Sequence, residues 1–174
     1  KRTQHKFRMV MLGVWAISDH STNNELWWSW DVAKKWDYIY VSAYWDRWLE
    51  TIDVSNPAAP VSTSTIVDSG TVELQNPRGS YIQWNYLYVV SYYWDSLQIF
   101  DISAPATPVA TWFYKDGWVL WTPNDVVVKW NYAFIADYVW DQVVVLDVSD
   151  PTNPVYETEI ADWGIMELNG AWDL

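Results

Sequence analysis

The chain has 174 residues, 51% hydrophobic and 18% charged, enough apolar surface to fold around a core without staples. Acidic residues outnumber basic ones 22 to 10, a formal net charge of -12, so the basic stripe that nucleic-acid binding needs is missing. Cysteine is absent, which excludes disulfides, thiolate metal ligands and Cys nucleophiles, and no apolar run reaches the length of a membrane helix, so no membrane insertion is expected.

In chain order, residues 1–30 are expected to hold the end of a preceding repeat unit and a connecting loop, with a last strand over 7–19. No charged-then-apolar signal peptide opens the chain. His5 and His20 both fall here. Zinc would have to rely on them with carboxylates, and neither has a Ser or Cys motif to serve as base, so ordinary histidines are expected.

Three repeat units follow, expected over 31–77, 78–123 and 124–169, and 170–174 reads as the start of another first strand. One column is KWDYIYV from Lys35, QWNYLYV from Gln83 and KWNYAFI from Lys129. A second is YWD at Tyr44, YWD at Tyr93 and VWD at Val139, which implies a one-residue insertion near Trp48. The third is IDVSNPAAPV from Ile52, FDISAPATPV from Phe100 and LDVSDPTNPV from Leu146. The first and third columns recur at offsets of 48 and 46, and three columns in one order define a true repeat.

Each unit predicts four short strands, in the middle unit over 79–83, 85–91, 97–101 and 109–114, rich in Val, Ile, Tyr, Phe and Leu. Runs such as VVVLDV from Val143 are apolar on both faces, as strands covered on both sides require. Pro57 and Pro60, Pro105 and Pro108, and Pro151 and Pro154 mark loops between the third and fourth strands. A period in the forties with four strands per unit predicts an all-β chain of tandem four-stranded antiparallel blades, a β-propeller fragment that needs further blades or a second copy to close. The tyrosine columns Tyr38, Tyr86 and Tyr132, and Tyr40, Tyr88 and Phe134, are expected to pack between blades.

Sixteen tryptophans stand against six glycines, and the tryptophans sit in turns. Trp36, Trp84 and Trp130 fall at the centre of a first hairpin in each unit, and Trp45, Trp94 and Trp140 are expected to repeat the pattern at a second. Two-residue hairpins favour primed turns with positive φ, where glycine is the usual residue, and a side chain forced there costs about 1 to 2 kcal/mol. Gly70, Trp118 and Gly164 share one column and Gly117 and Trp163 the next, so the two residue types exchange although no side-chain chemistry makes them equivalent. Three readings follow. The tryptophans are natural glycines, encoded by UGA in a lineage that reads it as glycine; or they are genuine and pack as a girdle around the blades, those at successive hairpin tips forming an aromatic surface that stacks on sugars or grips peptides; or they are deliberate substitutions.

With glycine in those turns, KWNYAFIADYVWDQVVVLDVSDPTNPV resembles the LVIVD repeat family, and the likeness runs from Asp31 to Ile160. Its strongest part is the Asp-x-Ser-x-Pro-x-x-Pro segment around Asp53, Asp101 and Asp147. The resemblance implies a β-propeller, exported or at the cell surface, with no catalytic residues to carry over.

The remaining candidates have structural readings. Asp53, Asp101 and Asp147 precede Ser55, Ser103 and Ser149, a pattern for side chains that close a turn onto the backbone; the alternative is calcium held by loop oxygens, with DVSDPTNP from Asp147 the richest loop. Asp46, Asp95 and Asp141 read as hairpin punctuation. No catalytic residue, metal site or cofactor is expected. The function expected is a non-catalytic module for binding or surface scaffolding, with a protein or carbohydrate partner. The alternative is a propeller hydrolase whose site lies in a central channel completed by further blades, for which two acids would have to converge on one cleft.

Overall fold

A computed structural model of the chain describes Leu26 and residues 28–161; the strand expected over 7–19, His5, His20, Trp163, Gly164 and residues 170–174 lie outside the described residues. The described residues form β-strands joined by turns, with no helix. Four successive strands, β1 (Ser29–Lys35), β2 (Tyr38–Ala43), β3 (Trp48–Asp53) and β4 (Val61–Val67), pair antiparallel in sequence order. The second sheet is β5 (Pro77–Gln83), β6 (Tyr86–Ser91), β7 (Ser96–Asp101) and β8 (Val109–Lys115); the third is β9 (Pro123–Lys129), β10 (Tyr132–Asp137), β11 (Gln142–Asp147) and β12 (Val155–Ala161). In the middle unit the strands match expectation to within two residues, except that Asn85 belongs to the turn because Gln83 and Tyr86 close it.

These are propeller blades: β5 lies beside both β1 and β9, so the first strands line the inner seam, and β4, β8 and β12 form the outer edges. The middle strands of each blade are covered on both faces and the outer strands are much more exposed, which is why the former read as continuous apolar runs.

The core is the stacking of blade on blade. Successive side chains of a strand point to opposite faces, so β6 and β7 serve two interfaces. Leu87, Val89, Phe100 and Ile102 pack toward the first blade with Tyr40 and Leu49, whereas Tyr88, Val90, Leu97 and Ile99 pack toward the third with Val126, Ile135 and Leu146. Each such buried side chain contributes roughly 2 kcal/mol, so one blade face outweighs a strained turn at its tip several times over. Tyr40 and Tyr88 are fully buried, as expected of the interblade columns, and the Tyr40 hydroxyl donates to the Pro105 carbonyl of the next blade at 3.0 Å. Tyr132 is exposed and Phe134 only partly covered, because no following blade lies over them among the described residues.

Two further features recur in each blade. The fourth strand carries an extra residue against the third, at Thr63, Thr111 and Glu157. The Thr63 and Thr111 hydroxyls donate back to the carbonyls of Thr51 and Ile99 at 3.2 and 3.1 Å, fixing the bulge. The first strand is also bulged near its start, at Trp30 in β1, Arg78–Gly79 in β5 and Asn124 in β9.

Candidate functional site

The first hairpins behave as the sequence predicts. Trp36, Trp84 and Trp130 have φ of 53°, 54° and 57°, while the following Asp37, Asn85 and Asn131 do not have positive φ, the pattern of a turn whose first central residue is ordinarily glycine. A third tryptophan-bearing column, unforeseen, lies just before the first strands: Trp28, Asn76 and Thr122 have φ of 57°, 58° and 69°.

The left-handed tips also carry a clasp between blades. Lys35 Nζ donates to the Trp84 carbonyl at 2.9 Å and to Asn85 Oδ1 at 2.8 Å, and Gln83 Nε2 donates to the Trp130 carbonyl. Lysine and glutamine occupy the same column, so each first hairpin reaches forward onto the carbonyl of the next. Burial lowers the Lys35 ammonium below the usual lysine range, with Asp101 opposing the shift.

The second hairpins differ from expectation. They are four-residue loops closed by Ala43 and Trp48, Ser91 and Ser96, and Asp137 and Gln142. The residue with positive φ is the last of each, Arg47, Asp95 or Asp141, and not Trp45, Trp94 or Trp140. There is no insertion near Trp48: the loops are equal in length, and the Trp-Asp pair merely stands one position earlier in the first. The closing pair sets the geometry, and the letters inside can slide. Successive hairpins of a meander lie at opposite ends of its strands, so Trp36, Trp84 and Trp130 are on one face and Trp45, Trp94 and Trp140 on the other. The six do not form one site.

Glycine in the neighbouring columns is not demanded by φ, since neither Gly70 nor Gly117 has a positive value and an added Cβ meets nothing within 4 Å at Gly70. Trp118, in the Gly70 column, is 87% exposed. Among the described tryptophans only Trp48 is buried.

The Asp-x-Ser segments are turns. Asp53, Asp101 and Asp147 accept the N–H of Ser55, Ser103 and Ser149 through Oδ1 at 2.8, 2.7 and 2.8 Å. These bonds hold the Asp53 and Asp147 carboxyls below the usual carboxylate range. In the oxygen-rich loop Asp150 is engaged in the same way, by the N–H and hydroxyl of Thr152. Among the described residues no group of three or more His, Asp or Glu side chains converges as a metal site would require.

The sequence left unmarked the mouth of the inner seam, at the end of the blades that carries the second hairpins. There the bulge residues Trp30, Arg78 and Asn124 of three successive blades meet. The Arg78 guanidinium lies 4.2 Å from the Trp30 ring centroid, 3.6 Å from Tyr92 and 5.3 Å from Tyr44, and Nη1 donates to Asn124 Oδ1. Bulges re-aim side chains in this way next to binding sites. Along the seam runs an open concavity of about 360 Å3, lined by Asp31, Lys34, Ser80, Tyr81 and Asp125 among others. Asp31 Oδ2 accepts both the N–H and the hydroxyl of Ser80 at 2.7 Å. Beside it Gly79 faces β9 so closely that a Cβ would come within 2.6 Å of the Asp125 Cα and 2.9 Å of the Asn124 carbonyl oxygen.

A second unforeseen cluster joins the second and third blades. Burial pushes the Asp137 carboxyl up to about 6, against the opposing N–H groups of Trp121 and Trp140 and the Gln142 side chain, and the charge of Asp95 adds to the rise. Burial also raises Asp95, which accepts the Thr122 N–H at 3.1 Å. Trp121 and Trp140 stack at 5.8 Å beside them. Both carboxylates thus pin the connection between β8 and β9. Asp95 ends its hairpin with a positive φ, as punctuation would, and holds this connection as well; Asp137 shares a column with the fully buried Ala43 and Ser91.

The LVIVD repeat family model matches residues 28–68, 82–116 and 123–162. No curated protein sequence matches the chain. Among solved structures it is similar to a Lactobacillus plantarum protein (TM-score 0.63, 17% identity, 76% of this chain and 42% of that one). It is also similar to a Bacteroides fragilis protein proposed to be a 6-phosphogluconolactonase (0.56, 14%, 75% and 42%) and to Kuenenia stuttgartiensis hydrazine synthase (0.52, 16%, 72% and 34%). The chain spans less than half the length of each. At such identities the likeness establishes the fold alone.

Proposed function

Since the chain belongs to the LVIVD repeat family, a set of propeller blades, we propose that it is a non-catalytic module for binding or surface scaffolding, exported or at the cell surface. The observation that carries this reading is the mouth of the inner seam, where bulge residues of three blades are brought together. Those residues, Trp30, Arg78 and Asn124, differ from blade to blade while the framework columns repeat. Arginine and aromatic side chains bind and orient partners; none of the three is a nucleophile or general base. The partner is a protein or a carbohydrate. Screening the full chain on glycan and peptide arrays tests this: saturable binding that is lost on substitution at the mouth supports it, and a panel without any binder overturns it.

A second reading, a hydrolase, has one feature in its favour: Asp95 lies close enough to Asp137 to add its charge to the burial that pushes Asp137 up to about 6, the direction a general acid needs. Both lie outside the inner seam and are engaged by backbone N–H groups, which supports a structural role. Turnover of any lactone, glycoside or ester that Asp137→Asn abolishes would reverse the ranking.

The same proposal takes Trp28, Trp36, Trp84 and Trp130 as glycine in the natural product, through UGA read as glycine. What supports it is that all four combine positive φ with exposure of 65 to 70%: the backbone asks for glycine and the indoles bury little. Peptide mapping by mass of the protein from its natural source decides it. Tryptophan at these positions would restore the hairpin tips as a stacking surface.

A further inference from the structure

Arg78 is more than nine-tenths buried, yet among the described residues no carboxylate lies within ion-pair distance of it, and the ion pair there is Lys115–Glu73. Its Nη1 is satisfied by an amide oxygen, Asn124 Oδ1, and its Nε has no partner at all. Burying a cation with neither counter-charge nor full hydrogen bonding is costly, and the feature is the more telling in a chain of net charge -12, where carboxylates are plentiful. The ring faces of Trp30, Tyr44 and Tyr92 offset part of the cost. The guanidinium also hydrogen-bonds the Tyr44 side chain, so with Nη1 on Asn124 Oδ1 it is Nε that is left as an unspent donor.

We infer that Arg78 is the receptor for a carboxylate on the ligand, held at the mouth of the inner seam by the guanidinium with the aromatic rings against the adjoining part of the molecule. This deepens the binding-module reading and rests on it. A planar carboxylate matches the guanidinium fork, and a lysine could not reproduce the match. Trp30, 40% exposed, covers the guanidinium from the seam side and must turn aside for a ligand to reach Nε. Glycine at position 30 would widen that opening and leave Tyr44 and Tyr92 against the guanidinium. The neighbouring Asp31 carboxylate is engaged by Ser80 and leaves Arg78 to the ligand. The carboxylate could come from a sugar acid or a peptide terminus, two sources of one chemistry.

The test is isothermal titration of the full chain with two matched pairs: glucuronate against glucose, and acetyl-dialanine against its amide. The acid member of at least one pair should bind saturably and its neutral partner at least tenfold more weakly; which acid wins identifies the source. Arg78→Lys, which keeps the charge, should weaken the acid by about tenfold or more, and Arg78→Gln should erase the preference. Equal binding of acid and neutral partners, or acid binding unaltered in Arg78→Lys, overturns the inference and leaves the binding module standing. No acid binding by the wild type overturns it too, and the arrays then judge the broader reading separately. Should Arg78→Gln fail to fold, the acid-to-neutral ratio in the wild type decides alone.

Discussion

The inner seam and the hairpin tips both have positions where only glycine fits well, for unlike reasons and with unlike occupants. At Gly79 the backbone conformation suits any residue, but the next blade is so near that a Cβ would meet the backbone of Asn124 and Asp125. At Trp36, Trp84 and Trp130 the space is open, and it is the positive φ that disfavours a side chain. Glycine is kept where a neighbour would be struck and tryptophan stands where only the dihedral is strained. A steric clash between blades disrupts packing that each blade depends on, whereas a strained, exposed turn costs about 1 to 2 kcal/mol and leaves the stacked faces intact.

The largest effect expected from this contrast is at the seam. Gly79→Ala should destabilise by about 3 kcal/mol, from the displacement of β9 against a close-packed neighbour, and chemical denaturation measures it. A loss below about 1 kcal/mol would mean that the seam yields and that the two regions do not differ in kind.

Next comes the clasp that joins the tips. Lys35→Met removes the donor to the Trp84 carbonyl and Asn85 and should cost about 1.5 kcal/mol, as charged hydrogen bonds of this kind do. An unchanged denaturation midpoint would show the left-handed tip to be a passive bend and not a docking point.

Smaller and opposite in sign is Trp84→Gly, which should stabilise by about 1 kcal/mol through relief of the φ of 54°. Loss of stability in that variant would show that the indole packs productively, and the comparison would collapse from the tip side.

The finest test uses pH at the connection between β8 and β9. Asp137 is raised in the fold from 3.8 to about 6, so between those values the folded chain holds a proton that the unfolded chain has released. Its contribution is therefore greatest below about pH 4 and fades as pH rises through 6. Asp137→Asn should flatten that decline when urea midpoints are compared from pH 4 to 7. Parallel profiles for the two proteins would remove Asp137 from the account.

The blades were legible because each is written three times. Apolar alternation in β6 and β7 and the prolines after Asp53, Asp101 and Asp147 locate strands and loops almost to the residue, and Trp36-Asp37, Trp84-Asn85 and Trp130-Asn131 locate the first hairpins. The second hairpins depart from expectation because the Trp-Asp letters do not mark the turn: the pairing of Ala43 with Trp48 fixes it and lets the letters drift. The mouth was invisible for a related reason. Bulges at Trp30, Arg78 and Asn124 follow from how strands register against each other, and a column that changes from tryptophan to arginine to asparagine gives repeat matching nothing to hold. Such a column is, however, where a repeating framework can place what does not repeat.

The Lys35 and Gln83 contacts point the same way along the chain: each blade gives a donor and the following blade supplies the carbonyl. A joint of this kind has a head and a tail, so like never meets like and two identical surfaces cannot cancel one another. Repetition of such a one-way joint ends only in a closed ring or in an open helix. The direction of one side chain therefore fixes the order in which these blades follow one another.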